Sequence, residues 1–449
     1  MWHAVIGMDA DSQNKRIAEL EAENQSLREQ LRKALERIEE LEQAGHRQAA
    51  PFRRRPKKII PPEQRKRPGR KEGHEGTYRM TPDSIDEQID VPLERCPHCG
   101  GPLEEIRVVE QVIEEVEPVR PKVTRLRTRT AVCGCCGKKV ASHHPLQGSM
   151  AGGCAKVQLG PRALALCALL NKVCGLPMRK TTTVMAKLCG LKLSAGGLSQ
   201  ALSRLAGKVQ GKYEELIQAI RAAPAVNADE TSWYVGRPGF WLWCFTTPMA
   251  TVYRVDDSRG SDVVKQVLGE KFAGVLVSDC LRSYDPVDCR KHKCFAHHLR
   301  AIAEAGGEKP GEYLLHWRTL LKTATIFYHE RATMEPPRFE EMRLKLEGWK
   351  DALLDQSLSN PADIQIRNRL IKHRPHLLRC LQEPAAEPTN NRAERALRPA
   401  VIARKLSCGN RTENGMRTWQ VLASLGATCQ QRGQDLVSLL ATAIPLPAG

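Results

Sequence analysis

No run of apolar residues in this 449-residue chain is long enough to cross a bilayer; the longest, Ala163 to Leu170, falls far short of the roughly 20 residues a spanning helix needs. The opening residues, Met1 to Ala10, lack the basic start and long apolar core of a secretory signal. A membrane protein and a secreted disulfide scaffold are both disfavoured. The 16 cysteines are therefore expected in a reducing cytosol, where paired thiols bind metal more often than they oxidise. Acidic residues are also in short supply, 51 against 69 Lys and Arg, for a net charge of +18. With no membrane anchor, that excess points to nucleic acid as the polyanionic partner. The length exceeds one compact domain and suggests roughly two to four.

Glycine and proline are missing from residue 12 until Gly45, which predicts one helix over 12–45. Ile17, Asn24, Leu31 and Ile38 fall at one heptad position, and Leu20, Leu27, Ala34 and Leu41 at the other. A lone Asn in an apolar seam fixes register in a parallel two-stranded coiled coil, so a homodimer or higher assembly is expected. Composition then changes abruptly over 46–80. Arg53, Arg54, Arg55, Lys57, Lys58, Arg65, Lys66, Arg67, Arg70 and Lys71 face only Glu63, Glu72 and Glu75. Such an arm suits DNA phosphates, bound through counterion release without sequence readout.

Residues 81–145 carry Cys96-Pro-His-Cys99-Gly and Cys133-Gly-Cys-Cys136-Gly. Each C-x-x-C brings two thiolates together in a tight turn, and two such knuckles complete one tetrahedral, structural Zn²⁺ site. The separation of 34 positions from Cys99 to Cys133 leaves room for a hairpin. A strand over Val123 to Val132 would present Arg125, Arg127 and Arg129 on one face, toward DNA. Residues 150–222 read as helical. Within them a helix up to Cys189, a turn at Gly190 and a second helix capped by Ser194 suit a helix-turn-helix-like DNA-binding unit, or an ordinary helical hairpin.

After Pro224 the pattern turns to strands. Ala225 to Asp229, Phe240 to Phe245 and Thr251 to Val255 read as three, Ser261 to Leu268 as a helix, and Gly274 to Asp279 as a fourth strand ending in an acid. Three antiparallel strands, a crossover helix and a parallel strand is the order of an RNase H-like α/β core. It would set Asp229 and Asp279 on adjacent strands. Asn390 to Pro399 supplies a third acid, Glu394, in a run of helix formers. Three converging carboxylates can hold two Mg²⁺, with Mn²⁺ able to substitute, for in-line displacement at phosphorus. Asp285, Asp288 and Glu230 compete for a place in the set, but none ends an apolar strand as Asp279 does.

In order and spacing these pieces resemble the insertion-sequence-66 family of bacterial transposases, whose active site is built from two Asp and a Glu. The resemblance runs from the heptads through Pro68 to Gly76 and the cysteine knuckles. It continues with Asp229 to Trp233, Gly239 to Trp243, Val277 to Asp279, Tyr284, Cys294 to His297, Arg300, Asn391 to Arg395, Leu397 to Pro399 and Arg404-Lys405. It implies that Asp229, Asp279 and Glu394 are the catalytic acids, acting on element ends and target DNA. Cys294 and His297 are also available to a second zinc with Cys280 or Cys289; the resemblance instead makes them, with Arg300, Asn391 and Arg398, supports of the site. Small accessory proteins encoded by the same element are candidate partners, and the expected location is the bacterial cytoplasm, on the nucleoid. Two stretches depart from the family pattern: Cys280-Leu-Arg, and the polar run from Leu406 to Gly415.

The expected architecture is therefore multidomain. It comprises the coiled coil (12–45), basic arm (46–80), zinc-binding domain (81–145) and helix-turn-helix-like domain (150–222). An RNase H-like catalytic core (223–300 and 388–420) follows, interrupted by a helical insertion (301–387) and closed by a helical tail (421–449). A zinc-dependent DNA-binding regulator without catalysis and an RNase H-like nuclease are the competing readings. A strand-transfer assay separates them, since the first only binds and the second cuts without joining.

Overall fold

The computed structural model of the chain describes residues 19–22, 25, 29, 80–142, 144, 157–307 and 309–443. Residues 19–22, 25 and 29 are helical and exposed; the rest of the heptad segment, and the basic arm up to Arg79, lie outside the described residues. So do Arg53, Arg54, Arg55, Lys57, Lys58, Arg65, Lys66, Arg67, Arg70 and Lys71.

The centre of the protein is a five-stranded mixed sheet in the order β5-β4-β3-β6-β7. Strands β3 (Ala225–Val235), β4 (Arg237–Thr246) and β5 (Thr251–Asp256) form an antiparallel meander. Its first turn is Gly236, at φ +66°, where a Cβ would come within 3.0 Å of the Arg411 carbonyl oxygen. Helix α5 (Ser261–Leu268) crosses to β6 (Lys271–Ser278), which runs parallel to β3, with Ala225 opposite Val275 and Asn227 opposite Val277. The strand and crossover order expected from the apolar pattern is the order found. The fifth strand, β7 (Asp288–Lys293), was not expected. Its sequence, Asp-Cys-Arg-Lys-His-Lys, has no apolar alternation, yet Lys291, His292 and Lys293 are buried.

Alternation along β3 divides its side chains between two cores. Val226 and Ala228 face helices α3 (Ala195–Lys208), α4 (Gln210–Arg221) and α5, in the largest apolar cluster. Helix α1 (Pro161–Ala168) and α2 (Met178–Cys189) share that cluster, so the helical segment before the sheet packs into the same core. Helix α2 ends on Gly190 at φ +65°, and the Ser194 hydroxyl accepts the Gly197 N–H (3.1 Å) to cap α3, as the sequence suggested.

The opposite face is split. Trp233, Val235, Leu242 and Tyr253, on the β3–β5 half, lie under α11 (Asn391–Ser407) and α12 (Glu413–Arg432). Val275 and Val277, on the β6 half, lie under the helices between β7 and α11. These are α6 (Phe295–Gly306), α7 (Glu312–Glu330), α8 (Pro336–Asp355), α9 (Pro361–Lys372) and the single turn α10 (Arg379–Gln382); α13 (Leu436–Ala443) closes the described chain against α1. The seam between the two halves runs between β3 and β6.

The cysteine-bearing segment is built differently. Its regular structure is a short ribbon, β1 (Thr130–Val132) with β2 (Lys139–Ala141), around the second knuckle. The expected hairpin between the knuckles is not formed: no strand occurs among residues 100–129, and Arg125, Arg127 and Arg129 are exposed outside β1. The β-branched residues there have no opposing strand to pair with and nothing to bury themselves against.

Candidate active site

Asp229 lies mid-way along β3, opposite Cys244, and Asp279 follows the last residue of β6. The constant offset of the parallel pairing, 225 to 275 and 227 to 277, puts the two acids at one level on adjacent strands. Glu394 stands in the first turn of α11. The three therefore come from three elements that border the seam. Burial first, then the charges of Glu230, Asp279 and Glu394, hold the Asp229 carboxyl well above the usual carboxylate range. One hydrogen bond, accepted from the Glu230 N–H (2.9 Å), works the other way.

What seats Glu394 is a neighbour the sequence reading passed over. Asn390 is fully buried and donates through Nδ2 to the Ala228 carbonyl (2.7 Å), while its Oδ1 accepts from Asn227 (3.2 Å). Its own N–H donates to the Cys294 sulfur (3.1 Å). Asn before a helix is normally a cap, but this side chain makes no capping bond. It pins the start of α11 to β3 one residue before Asp229. Asn391, the expected support, is exposed, and so is Arg398. Glu394 pairs with Arg300 instead (3.3 Å).

Arg300 also donates to His297 Nε2 (3.3 Å). Burial and the Arg300 charge lower the His297 pKa, against the pull of Asp279 and Glu394. Arg300 thus links His297 to Glu394, and Cys294 lies against the backbone of Asn390, at the start of the helix that carries Glu394. Among the described residues no three His, Cys, Asp or Glu side chains are gathered closely enough to hold a metal ion. Neither the acids nor a second cysteine–histidine set is closed in this arrangement.

On the other face of β3, Glu230 forms a separate buried network. Its side chain is 2% exposed, accepts from Tyr284 Oη (2.7 Å) and pairs with Arg259 (2.7 Å), whose guanidinium lies over Trp241. Burial and the Asp279 charge raise its pKa, and the two partners oppose that. Lys293, fully buried at the end of β7, pairs with Asp285 (3.1 Å) and reaches Ser278 (3.4 Å), the residue before Asp279. Asp285 is thereby accounted for by its counter-ion.

The polar run that departs from the family pattern is also explained. Asn410 Oδ1 accepts from Trp233 Nε1 (2.8 Å), its N–H donates to Tyr234 O (2.8 Å), and its carbonyl accepts from Gly236 (2.9 Å). Arg404 reaches the Ser232 carbonyl and hydroxyl, and Thr412 caps α12. The second half of the core is thus stitched along β3 on both sides of Asp229.

Each cysteine knuckle is a tight turn. Gly100 N–H donates to Cys96 O (2.9 Å) and Gly137 N–H to Cys133 O (2.9 Å), both glycines at positive φ. Backbone N–H groups of His98 and Cys99 lower the Cys96 pKa, and those of Cys136 and Cys135 lower that of Cys133. The two turns do not come together into a four-sulfur group.

Residues 156–418, more than half the chain, match the family model described as Transposase IS66 family. The chain belongs to that family. It is 25% identical over 395 residues to uncharacterized protein y4qI of Sinorhizobium fredii (strain NBRC 101917 / NGR234), covering 79% of this chain and 70% of that one. Uncharacterized protein y4jD of the same strain is 23% identical over 391 residues, 79% and 74% of the two chains. For a transposase DNA is the implied partner. No helix among the described residues is long and apolar enough to cross a membrane. The matched span contains Asp229, Asp279, Glu394 and Asn390, and leaves the cysteine knuckles outside it.

Proposed function

We propose that this transposase cleaves and joins DNA with Asp229, Asp279 and Glu394 as its catalytic acids, on an RNase H-like core. The observation that carries this reading is the register that sets Asp229 and Asp279 at one level on adjacent strands, with Glu394 in the first turn of the helix over the seam. The raised Asp229 carboxyl agrees with it. Its two acidic neighbours at the seam come from β6 and α11, and their charges are among the causes. Carboxylates placed to repel one another in a buried site are a costly arrangement unless a cation completes it. The donors are oxygens only, which fits a hard divalent ion, Mg²⁺ or Mn²⁺.

Asp229, Asp279 and Glu394 would hold such ions, which would supply Lewis-acid activation of the attacking water or 3′-hydroxyl and charge stabilisation of the leaving oxygen. The chain's own part is positional. β3 and β6 present two aspartates at one height, Asn390 fixes the register of the third acid, and Arg300 holds Glu394 in an ion pair until a phosphate or cation competes for it. The same reading gives Cys96, Cys99, Cys133 and Cys136 one structural Zn²⁺, supported by the matched turns and N–H groups aimed at Cys96 and Cys133. It gives the basic arm and Arg125, Arg127 and Arg129 phosphate contacts, the heptads self-association, and the α2–α3 pair a DNA-binding role.

The test is release of a 3′-hydroxyl end from a labelled element-end duplex, with joining scored on supercoiled DNA. Asp229→Asn, Asp279→Asn and Glu394→Gln each keep side-chain size and should lower the chemical step by several orders of magnitude while DNA binding persists. Mn²⁺ should replace Mg²⁺. Near-normal cleavage by one variant removes that residue from the site, and full activity in EDTA removes the mechanism.

A further inference from the structure

Helices α6 and α7 border a groove of about 680 Å³. Arg300 lines it and is the residue paired with Glu394. Leu299 and Leu315 give it an apolar floor, and Arg318 and Lys322 stand along its α7 wall; Glu304 is its one acid. Arg318 and Lys322 are four apart on one helix and so share a face. Neither has an ion pair or hydrogen bond among the described residues.

Several other cations of the insertion are matched: Arg343 pairs with Glu340 and Glu347, Lys345 with Glu341, and Arg374 with Asp351 and Asp355. In the groove, Arg318 and Lys322 stand beside a single acid, Glu304. Unmatched cations beside apolar side chains, in a groove that Arg300 links to Glu394, complement the sugar–phosphate backbone of DNA. The groove has no aromatic side chain on which bases would stack.

We propose that the α6–α7 groove is a backbone track, in which Arg318 and Lys322 each hold one phosphate of the strand entering the candidate site. This rests on the proposed function, and it assigns the insertion a DNA-contacting role. Arg300 is the point at which the track meets the acids.

The experiment measures binding of the full chain to a mixed-sequence duplex and to a single strand of the same length, over a range of KCl. Each phosphate contact contributes about 0.9 to the slope of log K against log salt for duplex and about 0.7 for single-stranded DNA. Arg318→Ala with Lys322→Ala should lower the slope by about 1.8 on the duplex, or about 1.4 if the track takes a single strand. A control pair on α8, outside the groove lining, Arg338→Ala with Lys345→Ala, should leave it unchanged. Equal slopes for the wild type and the groove variant on both probes overturn the track and leave the proposed chemistry standing. A wild-type chain that binds neither probe overturns both. An equal loss from the control pair also overturns the track, because the effect is then one of net charge.

Discussion

The sheet region and the cysteine-bearing segment start from similar sequence material, β-branched residues alternating with polar ones, and end in opposite states. In β3 to β6 the alternation buries Val226, Ala228, Trp233, Val275 and Val277 against helices on both faces. In residues 100–129 Val108, Val109, Ile113, Val116 and Val123 remain exposed. The difference lies in what each segment has to pack against. A strand stabilises a fold only when a partner strand and a covering layer remove its apolar side from water. The core supplies both, and locks them with contacts distant in sequence, such as Asn390 to Ala228 and Asn410 to Trp233. The cysteine segment relies on bonds within a few residues, in two turns joined by a long span. A metal is the usual way for so small a unit to become compact.

The comparison can be broken most forcefully at the cysteines. Zinc analysis of the purified chain should give about one ion per chain. Cys99→Ser with Cys136→Ser should lose it and leave residues 80–142 open to proteolysis, while the core's melting transition is unchanged. Zinc retained in that double variant overturns the four-cysteine assignment. A core that melts with the zinc would show that the two regions are one cooperative unit.

Within the core, Asn390→Ala removes two buried side-chain bonds at once and should cost about 2–6 kcal/mol by chemical denaturation, at roughly 1–3 kcal/mol for each polar group left unpaired. Cleavage should fall further than stability does, because α11 carries Glu394. Asn391→Ala, one residue along and exposed, should change neither. Equal behaviour of the two would dissolve the distinction between tertiary and local roles for that doublet.

Smaller effects separate the neighbouring acids. Asp285→Asn leaves the buried Lys293 ammonium without its partner. The loss should be about 1–3 kcal/mol, less than for a wholly buried pair because Asp285 is 37% exposed. Asp288→Asn, exposed at the start of β7, should be close to neutral in stability and activity. Asp285 is therefore no innocent control for Asp279. A wild-type melting temperature in the Asp285 variant would discount the pair.

The least effect is a pH dependence. The native Asp229 pKa is raised, so the folded state holds that proton more tightly than the unfolded chain. Its favourable contribution is present below about pH 3.9, the ordinary Asp value, and is lost as pH rises through the native value. Asp229→Asn should thus raise the melting temperature of metal-free protein more at pH 8 than at pH 4. A gain that is equal at both would mean the carboxyl is not elevated.

Much of the core was legible because apolar periodicity survives wherever a strand is covered on both faces. Ala225–Val235, Arg237–Thr246, Thr251–Asp256 and Lys271–Ser278 all announce themselves this way, as does the Ser194 cap. The acids at Asp229 and Asp279 were legible for the same reason, each following a short apolar run. The sequence by itself determined those strands, their order and the family to which their motifs belong. Only the tertiary structure decided that Asp-Cys-Arg-Lys-His-Lys is a strand, that Asn390 rather than Asn391 seats the third acid, and that Arg300 is the partner of Glu394. The last two depend on a polar partner far along the chain, 162 positions away for Asn390 and Ala228 and 94 for Arg300 and Glu394. Local pattern encodes which side chains avoid water; it does not encode which polar group, once out of water, will meet another.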